Sequence, residues 1–281
     1  MEALGYYNGA YGPLDEMMVP MNDRACYFGD GVYDATYCAN HVIYAMDQHI
    51  DRFFSSAHLL KMEVPMTKEE LKAELNGMAE KVEGEQLMVY WQLTRGTARR
   101  SHAFPDGKAN LWIIIRPFAL RDLSLRMKLI TYRDTRYEHC NIKTLNLIPN
   151  VMAAQAFEEA GCDEAVFYRG GGIVTECAHS NISIIKDGIL YTHPADRYIL
   201  PGIARIHLIA KCGELGLPVS ETAFTVDEMM KADEIIVTSS GTFCSAVSVI
   251  DGIPVGGKAE ELIEKLQKAL TEAFHKETGT A

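Results

Sequence analysis

The sequence has too few basic residues to balance its acidic ones, and this limits the partners it can have. Its 281 residues include 27 Lys and Arg against 38 Asp and Glu, which gives a formal net charge of −11. A surface with this charge repels phosphate backbones and anionic bilayers. We therefore expect neither nucleic acid nor a membrane as a partner, and a small anionic ligand would need its own local group of arginines.

Paired cysteines and long apolar runs are missing as well. The seven cysteines are odd in number and form no CxxC pair, which argues against a disulfide framework or a zinc site and favours a reducing compartment. The first residues lack the basic start and apolar core of a signal peptide. No apolar run approaches the roughly 18 residues that span a bilayer. These absences predict a cytoplasmic protein.

The length and the hydrophobic pattern predict two domains. We expect an N-terminal domain over residues 1–117, a linker over 118–121 and a C-terminal domain over 122–281. Apolar periodicity predicts helices over about 49–62, 67–82, 150–160, 203–215 and 259–275. It predicts strands over about 87–94, 111–116, 126–132, 164–168, 182–186, 189–193 and 234–239. Because the two kinds of element mix without strict alternation, the predicted fold class is α+β.

A lysine in an unusual setting is the first candidate for chemistry. Lys143 lies in the apolar and amide-rich run Asn141–Asn150, just before a predicted helix. Burial lowers the pKa of a lysine and makes its amine a Schiff-base nucleophile. Taken by itself, however, the run fits a surface loop lysine better.

Glu176 is the second candidate, because it lies where an apolar strand runs into a turn. A carboxylate at such a point could face a pyridinium nitrogen and keep it protonated, or it could simply face water. His179 could serve as a ligand or base, although a structural role fits it better.

Two turns could bind a phosphate group. Residues 200–205 lead into a predicted helix, whose first N–H groups and positive dipole end favour anions. Residues 238–242 add hydroxyls and a glycine after a buried strand, and Arg52 could supply a fixed positive charge. Ordinary turns and a solvated arginine are the alternatives.

A basic cluster interrupts the acidic chain at the end of a predicted strand. It consists of Arg95, Arg99, Arg100 and His102. The planar fork of arginine suits a carboxylate. A solvated basic loop is the alternative.

The order and spacing of six short segments resemble one known family. The segments are Phe28–Tyr33, His49–Arg52, Thr94–Thr97, Asn141–Asn146, Val174–Glu176 and Ile189–Pro194. From near residue 20 to near 250, the chain resembles the fold-type IV aminotransferases that depend on pyridoxal 5'-phosphate (PLP), and within them the D-amino acid branch. The resemblance implies a fold-type IV structure with a small N-terminal α/β domain and a larger C-terminal α/β domain that binds the cofactor. It also implies a homodimer.

The resemblance implies a role for each candidate. Lys143 would bind PLP as a Schiff base and shuttle the Cα proton, while Glu176 would pair with the pyridine nitrogen and Arg52 with the phosphate. The further cofactor contacts would be Leu200, Ile203, Ala204, Ser240 and Gly241. The substrate carboxylate would be bound by Tyr33, Arg100 and His102.

The implied reaction is transamination of D-amino acids of the D-alanine type. With 2-oxoglutarate as acceptor, it gives a 2-oxo acid and D-glutamate. The alternatives are a branched-chain L-amino acid aminotransferase, a lyase of the aminodeoxychorismate type and a PLP-binding protein without activity. The first would prefer L-leucine, the second would release pyruvate without an acceptor, and the third would turn over no amine.

Several positions depart from the family pattern. Asp34 replaces an expected glutamate, and Ala204 stands where relatives often have threonine. Ala178 and His179 replace two small hydroxyl residues, and Gly241 replaces another. None of these changes touches Lys143 or Glu176.

Overall fold

The computed structural model describes residues 2–280, which form two compact units. Unit 1 consists of Met1–Leu120, Ile142–Asn146 and Phe274–Ala281, and unit 2 of Arg121–Asn141 and Leu147–Ala273. The chain passes from unit 1 to unit 2 within the predicted linker 118–121. It differs from the predicted contiguous division in that residues 142–146 and 274–281 belong to unit 1.

Unit 1 is built on an antiparallel sheet with helices. Its strands are β1 (Leu4–Tyr7), β2 (Ala10–Pro13), β3 (Gly31–Ala39), β4 (Val42–Ile43), β5 (Gln86–Thr94) and β6 (Asn110–Pro117). Its helices are α1 (Arg24–Phe28), α2 (Met46–Leu59) and α3 (Lys68–Ala79). Among the described residues, the strands form one six-stranded sheet in the order β2-β1-β6-β5-β3-β4.

Apolar side chains of α2, α3 and the central strands make the core of unit 1. Phe53 of α2, Leu71 of α3 and Trp91 of β5 are all fully buried. Helix α3 begins where the sequence predicts, because Thr67 and Glu70 form the predicted capping box. Burial of these faces fixes α2, and with it Arg52, against the sheet.

The short segment Ile142–Asn146 belongs to unit 1 because it pairs with the start of β3. The Tyr33 N–H donates to the Lys143 carbonyl at 2.9 Å, and Thr144 forms a bridge with Val32. Gly31 permits this close approach, since a Cβ there would lie 2.6 Å from the Leu145 side chain and 2.3 Å from a carbonyl of β5. The strand β3 therefore positions Lys143.

Unit 2 contains a mixed sheet and further helices. Its strands are β7 (Met127–Arg133), β8 (Glu164–Tyr168), β9 (Val174–Cys177), β10 (Asn181–Lys186), β11 (Ile189–Thr192), β12 (Val219–Ser220), β13 (Glu234–Thr238), β14 (Ser245–Ile250) and β15 (Ile253–Pro254). The helices are α4 (Ile148–Glu159), α5 (Ile203–Glu214), α6 (Val226–Met229) and α7 (Glu260–Thr278), the last of which ends in unit 1. In the described chain, the sheet runs β12-β11-β10-β13-β14-β7-β8-β9, and β15 pairs with β14.

The mixture of helices with sheets confirms the predicted α+β class. Strand β14 pairs in parallel with β7, and β7 with β8, whereas most other pairs are antiparallel. The predicted hairpin turn at Asp187-Gly188 is confirmed, with both residues at positive φ between β10 and β11. Over residues 2–280, no helix is both long and apolar enough to cross a membrane.

Candidate active site

Lys143 lies in unit 1 with its amine over an aromatic ring. The Nζ atom is 4.4 Å from the centre of the Tyr33 ring, and the ring of Tyr90 stacks on that of Tyr33 at 5.4 Å. The Lys143 N–H donates to Ser56 Oγ of α2 at 3.2 Å. The structure thus brings Lys143 and Tyr33 together, as their expected roles require, and fixes the lysine backbone between β3 and α2.

Arg52 is also in unit 1, where it is held by Asp34. Its Nε and Nη2 donate to the two Asp34 oxygens at 2.9 and 2.7 Å, and His49 Nδ1 lies 2.8 Å from the same carboxylate. Burial alone would raise the pKa of Asp34, but the charge of Arg52 and the hydrogen bond from His49 outweigh it and lower the pKa well below its usual range. Burial lowers the pKa of His49, and the nearby charges of Arg52 and Lys143 act in the same direction.

The aspartate at position 34 therefore does not weaken this ion pair. Its side chain is fully buried, and that of Arg52 is 9% exposed. A bidentate pair of this kind fixes the plane of the guanidinium. Arg52 keeps its charge and has one defined orientation, as a phosphate ligand needs.

Arg100 and His102 lie together in unit 1, around the ring of Phe28. The guanidinium carbon of Arg100 is 5.2 Å from the centre of that ring, and the imidazole of His102 is 5.3 Å from it. Both side chains are exposed. Among the described residues, no hydrogen bond or ring contact joins either of them to Tyr33, so the three expected carboxylate ligands form two separate groups in one chain.

Glu176 lies in β9 of unit 2, where three donors fix its carboxylate. Its Oε1 accepts a hydrogen bond from Arg136, while Oε2 accepts from Asn181 Nδ2 at 2.8 Å and from the Leu200 N–H at 3.0 Å. Burial raises the pKa of Glu176, and the charge of Arg136 and the Leu200 N–H partly offset this rise. The predicted pair of Glu176 and Leu200 is therefore in direct contact.

Arg136 is the main functional candidate that sequence reasoning missed. It is 9% exposed, and its Nε and Nη2 donate to Asp134 at 3.0 and 2.9 Å while its Nη1 reaches Glu176. Arg169 Nε also binds Asp134, at 2.9 Å. Two carboxylates and two guanidiniums thus form one connected group that holds Glu176 in place. The only sequence signal is the spacing of Asp134 and Arg136 directly after β7, which is weak.

The first turn of α5 lies beside this group. Asn181 Nδ2, which binds Glu176, also donates to the Leu200 carbonyl at 3.0 Å. Gly202 precedes the helix without a side-chain cap, so the N–H groups of Ile203 and Ala204 lack an intrahelical acceptor. A Cβ on Gly202 would come 2.0 Å from Asn181 Oδ1, so only glycine permits this approach.

The turn that holds Ser240 and Gly241 follows β13 in the same unit. It is closed by the hydroxyls of Ser239 and Thr242, which lie 2.9 Å apart. Thr238, at the end of β13, pairs in register with Asn181 of β10. The structure therefore brings this turn near the start of α5, as the predicted phosphate site requires.

His179 has a side chain that is 59% exposed, on the turn after β9. Its backbone N–H donates to Glu164 Oε2 at 3.1 Å, and so does Ser180 Oγ, at 2.9 Å. The departure at Ala178 and His179 thus leaves an ordered turn, which the buried carboxylate of Glu164 holds.

The residues of unit 2 fit a phosphorylated pyridine cofactor. Thr238 Oγ1 is buried without a hydrogen-bond partner among the described residues, on the sheet face that carries Asn181. An orphaned hydroxyl of this kind is costly unless another polar group completes the site. The uncapped start of α5 suits a phosphate, and a fixed carboxylate suits a protonated ring nitrogen.

Comparison with known proteins agrees with this donor set. A model of the amino-transferase class IV family matches residues 31–250. A D-alanine aminotransferase of Listeria monocytogenes is 36% identical over 274 residues, which cover 94% of each chain. A D-alanine aminotransferase of Bacillus licheniformis is 34% identical over 279 residues, which cover 97% of this chain and 98% of the relative.

Solved structures show the same fold. The branched-chain amino acid aminotransferase of Escherichia coli superposes with a TM-score of 0.89 at 21% identity, over 98% of this chain and 95% of the other. A second branched-chain amino acid aminotransferase, from T.th. and solved with pyridoxamine 5'-phosphate, also gives a TM-score of 0.89 at 22% identity, over 100% and 96%. The predicted fold-type IV structure is confirmed, and the chain belongs to the amino-transferase class IV family of PLP-dependent enzymes.

Proposed function

We propose that this protein transaminates D-amino acids of the D-alanine type, with 2-oxoglutarate as the amino acceptor. The observation that carries the proposal is the similarity to D-alanine aminotransferases at 34–36% identity over at least 94% of the chain. The branched-chain enzymes among the structural neighbours are only 21–22% identical and support the fold alone.

Lys143 is the residue that would hold the cofactor covalently and move the proton. Its amine takes a proton from the substrate Cα and later returns one, as general base and then general acid. The Tyr33 ring face, 4.4 Å from Nζ, limits where the amine can point. Its backbone contacts with β3 and α2 keep this position constant through both half-reactions.

Glu176 would hold the pyridine nitrogen end of the cofactor. PLP, when bound, supplies an electron sink for the charge left at the substrate Cα. The Glu176 carboxylate keeps the ring nitrogen protonated, which that sink requires. Arg136, Asn181 and the Leu200 N–H hold this carboxylate in one orientation, so little reorganisation is needed when charge develops.

The phosphate group would be bound by one fixed charge and several neutral donors. Arg52 supplies the charge, oriented by Asp34. The N–H groups of Ile203 and Ala204 and the turn at Ser240 and Gly241 supply the donors, and Leu200 packs on the ring. Because Ala204 and Gly241 lack hydroxyls, backbone N–H groups must replace them.

The substrate α-carboxylate would be bound by Tyr33, Arg100 and His102. Arg100 and His102 share one aromatic support in Phe28, so an anion between their side chains would meet two donors. A carboxylate bound on this side of the site favours a D-amino acid.

We also propose a cytoplasmic homodimer. All seven cysteines are free, which suits a reducing compartment. Ile148, Val151 and Met152 are each more than half exposed on α4, and their spacing places them on one helix face. A second copy that covers this face would bury apolar surface. Size-exclusion chromatography with light scattering should give twice the chain mass, and a monomeric mass would contradict the dimer.

A coupled assay on the purified protein with PLP tests the reaction. D-alanine and 2-oxoglutarate should yield pyruvate, while L-alanine and L-leucine should react far more slowly. A clear preference for L-leucine would favour a branched-chain enzyme. Pyruvate released from aminodeoxychorismate without an acceptor would favour a lyase, and no turnover at all would favour a PLP-binding protein without activity.

A further inference from the structure

The loop that carries Arg100 and His102 has little regular structure of its own. Residues 95–109 connect β5 to β6, and apart from a bridge between Thr97 and Asp23 they form neither helix nor strand. A loop of this kind cannot place two side chains accurately unless something outside it fixes its backbone.

A single buried arginine supplies that support. Arg24 of α1 is 3% exposed, and its Nη1 donates to the carbonyls of Ser101 at 2.5 Å and Ala103 at 3.2 Å. Its Nη2 reaches the His102 carbonyl at 3.5 Å. Three consecutive carbonyls of the loop thus converge on one guanidinium.

The guanidinium is itself fixed. Arg24 Nε donates to Asp30 Oδ2 at 2.7 Å, and Arg95 Nε binds the same carboxylate at 2.9 Å. The Arg24 N–H donates to the Gly96 carbonyl at 3.0 Å. Side chain and backbone of Arg24 therefore hold both ends of the segment from 96 to 103.

The same arginine contacts the aromatic support of the loop. Its guanidinium carbon is 5.0 Å from the centre of the Phe28 ring, which Arg100 and His102 also contact. Phe28 ends α1, the helix that Arg24 begins. One short helix thus fixes the loop backbone and carries the ring on which the two side chains rest.

We propose that Arg24 is a positioning residue that sets the substrate-carboxylate affinity of the enzyme. It fixes the backbone of Ser101–Ala103 and thereby presents Arg100 and His102 to the α-carboxylate. The carboxylate role of those two residues rests on the proposed function. Arg24 itself touches neither substrate nor cofactor, and the proton transfer at Lys143 does not depend on it.

The proposal predicts a specific kinetic pattern. Loss of the loop support should raise KM for both D-alanine and 2-oxoglutarate, because both substrates carry an α-carboxylate. Since Lys143 and Glu176 are untouched, kcat should change little. A merely structural residue would instead lower the amount of active enzyme and leave KM unchanged.

Three variants separate these possibilities. Arg24→Gln removes the charge and most of the donors, whereas Arg24→Lys keeps a charge for Asp30 but lacks the planar fork that three carbonyls require. Arg126→Gln is the control, because Arg126 likewise binds a buried carboxylate, Glu234, and a backbone carbonyl, that of Val247. It lies in unit 2 and makes none of the contacts to the loop.

Arg24→Gln should raise both KM values about tenfold with kcat within about threefold of wild type, and Arg24→Lys should give a smaller rise in KM. Arg126→Gln should keep wild-type KM values. Limited trypsin digestion of the native protein supplies a readout that needs no activity. Cleavage after Arg99 and Arg100 should be about fivefold faster or more in Arg24→Gln than in wild type or Arg126→Gln.

Wild-type KM values in Arg24→Gln would overturn the proposal, even if digestion is faster. Wild-type digestion rates in both Arg24 variants would show that the loop needs no such support and would also overturn it. If Arg24→Gln does not fold, Arg24→Lys decides by the same two readouts. If the wild-type enzyme ignores D-alanine, the proposed function fails together with the carboxylate role, while digestion still decides whether Arg24 holds the loop.

Discussion

The buried ion pair of Asp34 and Arg52 should be essential to the stability of unit 1. In Asp34→Asn, one carboxylate oxygen becomes an NH₂ group that faces the guanidinium. Asp34 is fully buried and Arg52 is 9% exposed, so the arginine keeps its charge without an anionic partner. Breaking a buried pair in this way costs about 3–5 kcal/mol.

Tryptophan fluorescence during urea unfolding measures this loss in the right place. The two tryptophans of the chain, Trp91 and Trp112, both lie in unit 1, on β5 and β6. The control is Asp47→Asn on the same helix as Arg52. Asp47 is 81% exposed and pairs with Lys72 at the surface, so its loss should cost less than about 1 kcal/mol.

The pH dependence gives a second check. Because the native pKa of Asp34 is lowered from an ordinary value of 3.8, its stabilising contribution is complete above pH 3.8 and is lost as the pH falls through the native pKa. The difference in unfolding free energy between wild type and Asp34→Asn should therefore be largest near neutral pH and shrink below pH 3.8. If Asp34→Asn shifts the unfolding midpoint no more than Asp47→Asn, the ion pair does not stabilise unit 1 as reasoned.

Two further substitutions test the unit 2 residues. Glu176→Gln removes the negative charge that keeps the ring nitrogen protonated, so steady-state kinetics should show kcat lowered by about a hundredfold or more; a kcat within threefold of wild type would contradict this role. Gly202→Ala places a Cβ 2.0 Å from Asn181 Oδ1, so PLP titration of the apoprotein should show an affinity lowered by about tenfold or more. Gly213→Ala on the same helix, where a Cβ meets no atom within 4 Å, is its control, and equal affinities in the two variants would contradict the need for glycine at 202.

The sequence predicts well the elements whose signals are local. Helix α3 starts at the predicted capping box, and α4 ends before Gly161, which has the expected positive φ of 64°. Strand β3 escaped prediction because it is buried along most of its length, and polar residues such as Asp34 and Thr36 stand where apolar ones would mark a strand. Burial of this kind gives no alternating pattern to recognise.

The candidate site was predicted to a similar degree. Lys143, Glu176 and Leu200 lie in short segments whose residue types suggest their chemistry. The supporting contacts depend on residues far apart in sequence: Arg136 meets Glu176 across 40 positions, and Arg24 meets Ser101 across 77. No periodicity or spacing encodes such pairs, because they arise only when strands and loops pack.

The identity of the cofactor-bearing lysine can be measured directly. The purified enzyme with PLP is reduced with borohydride, which makes a Schiff base permanent, and is then digested and mapped by mass spectrometry. The account predicts that the reduced cofactor is found on Lys143, and that Lys143→Ala neither retains the label nor forms pyruvate from D-alanine. A label on another lysine, or normal turnover by Lys143→Ala, would contradict it.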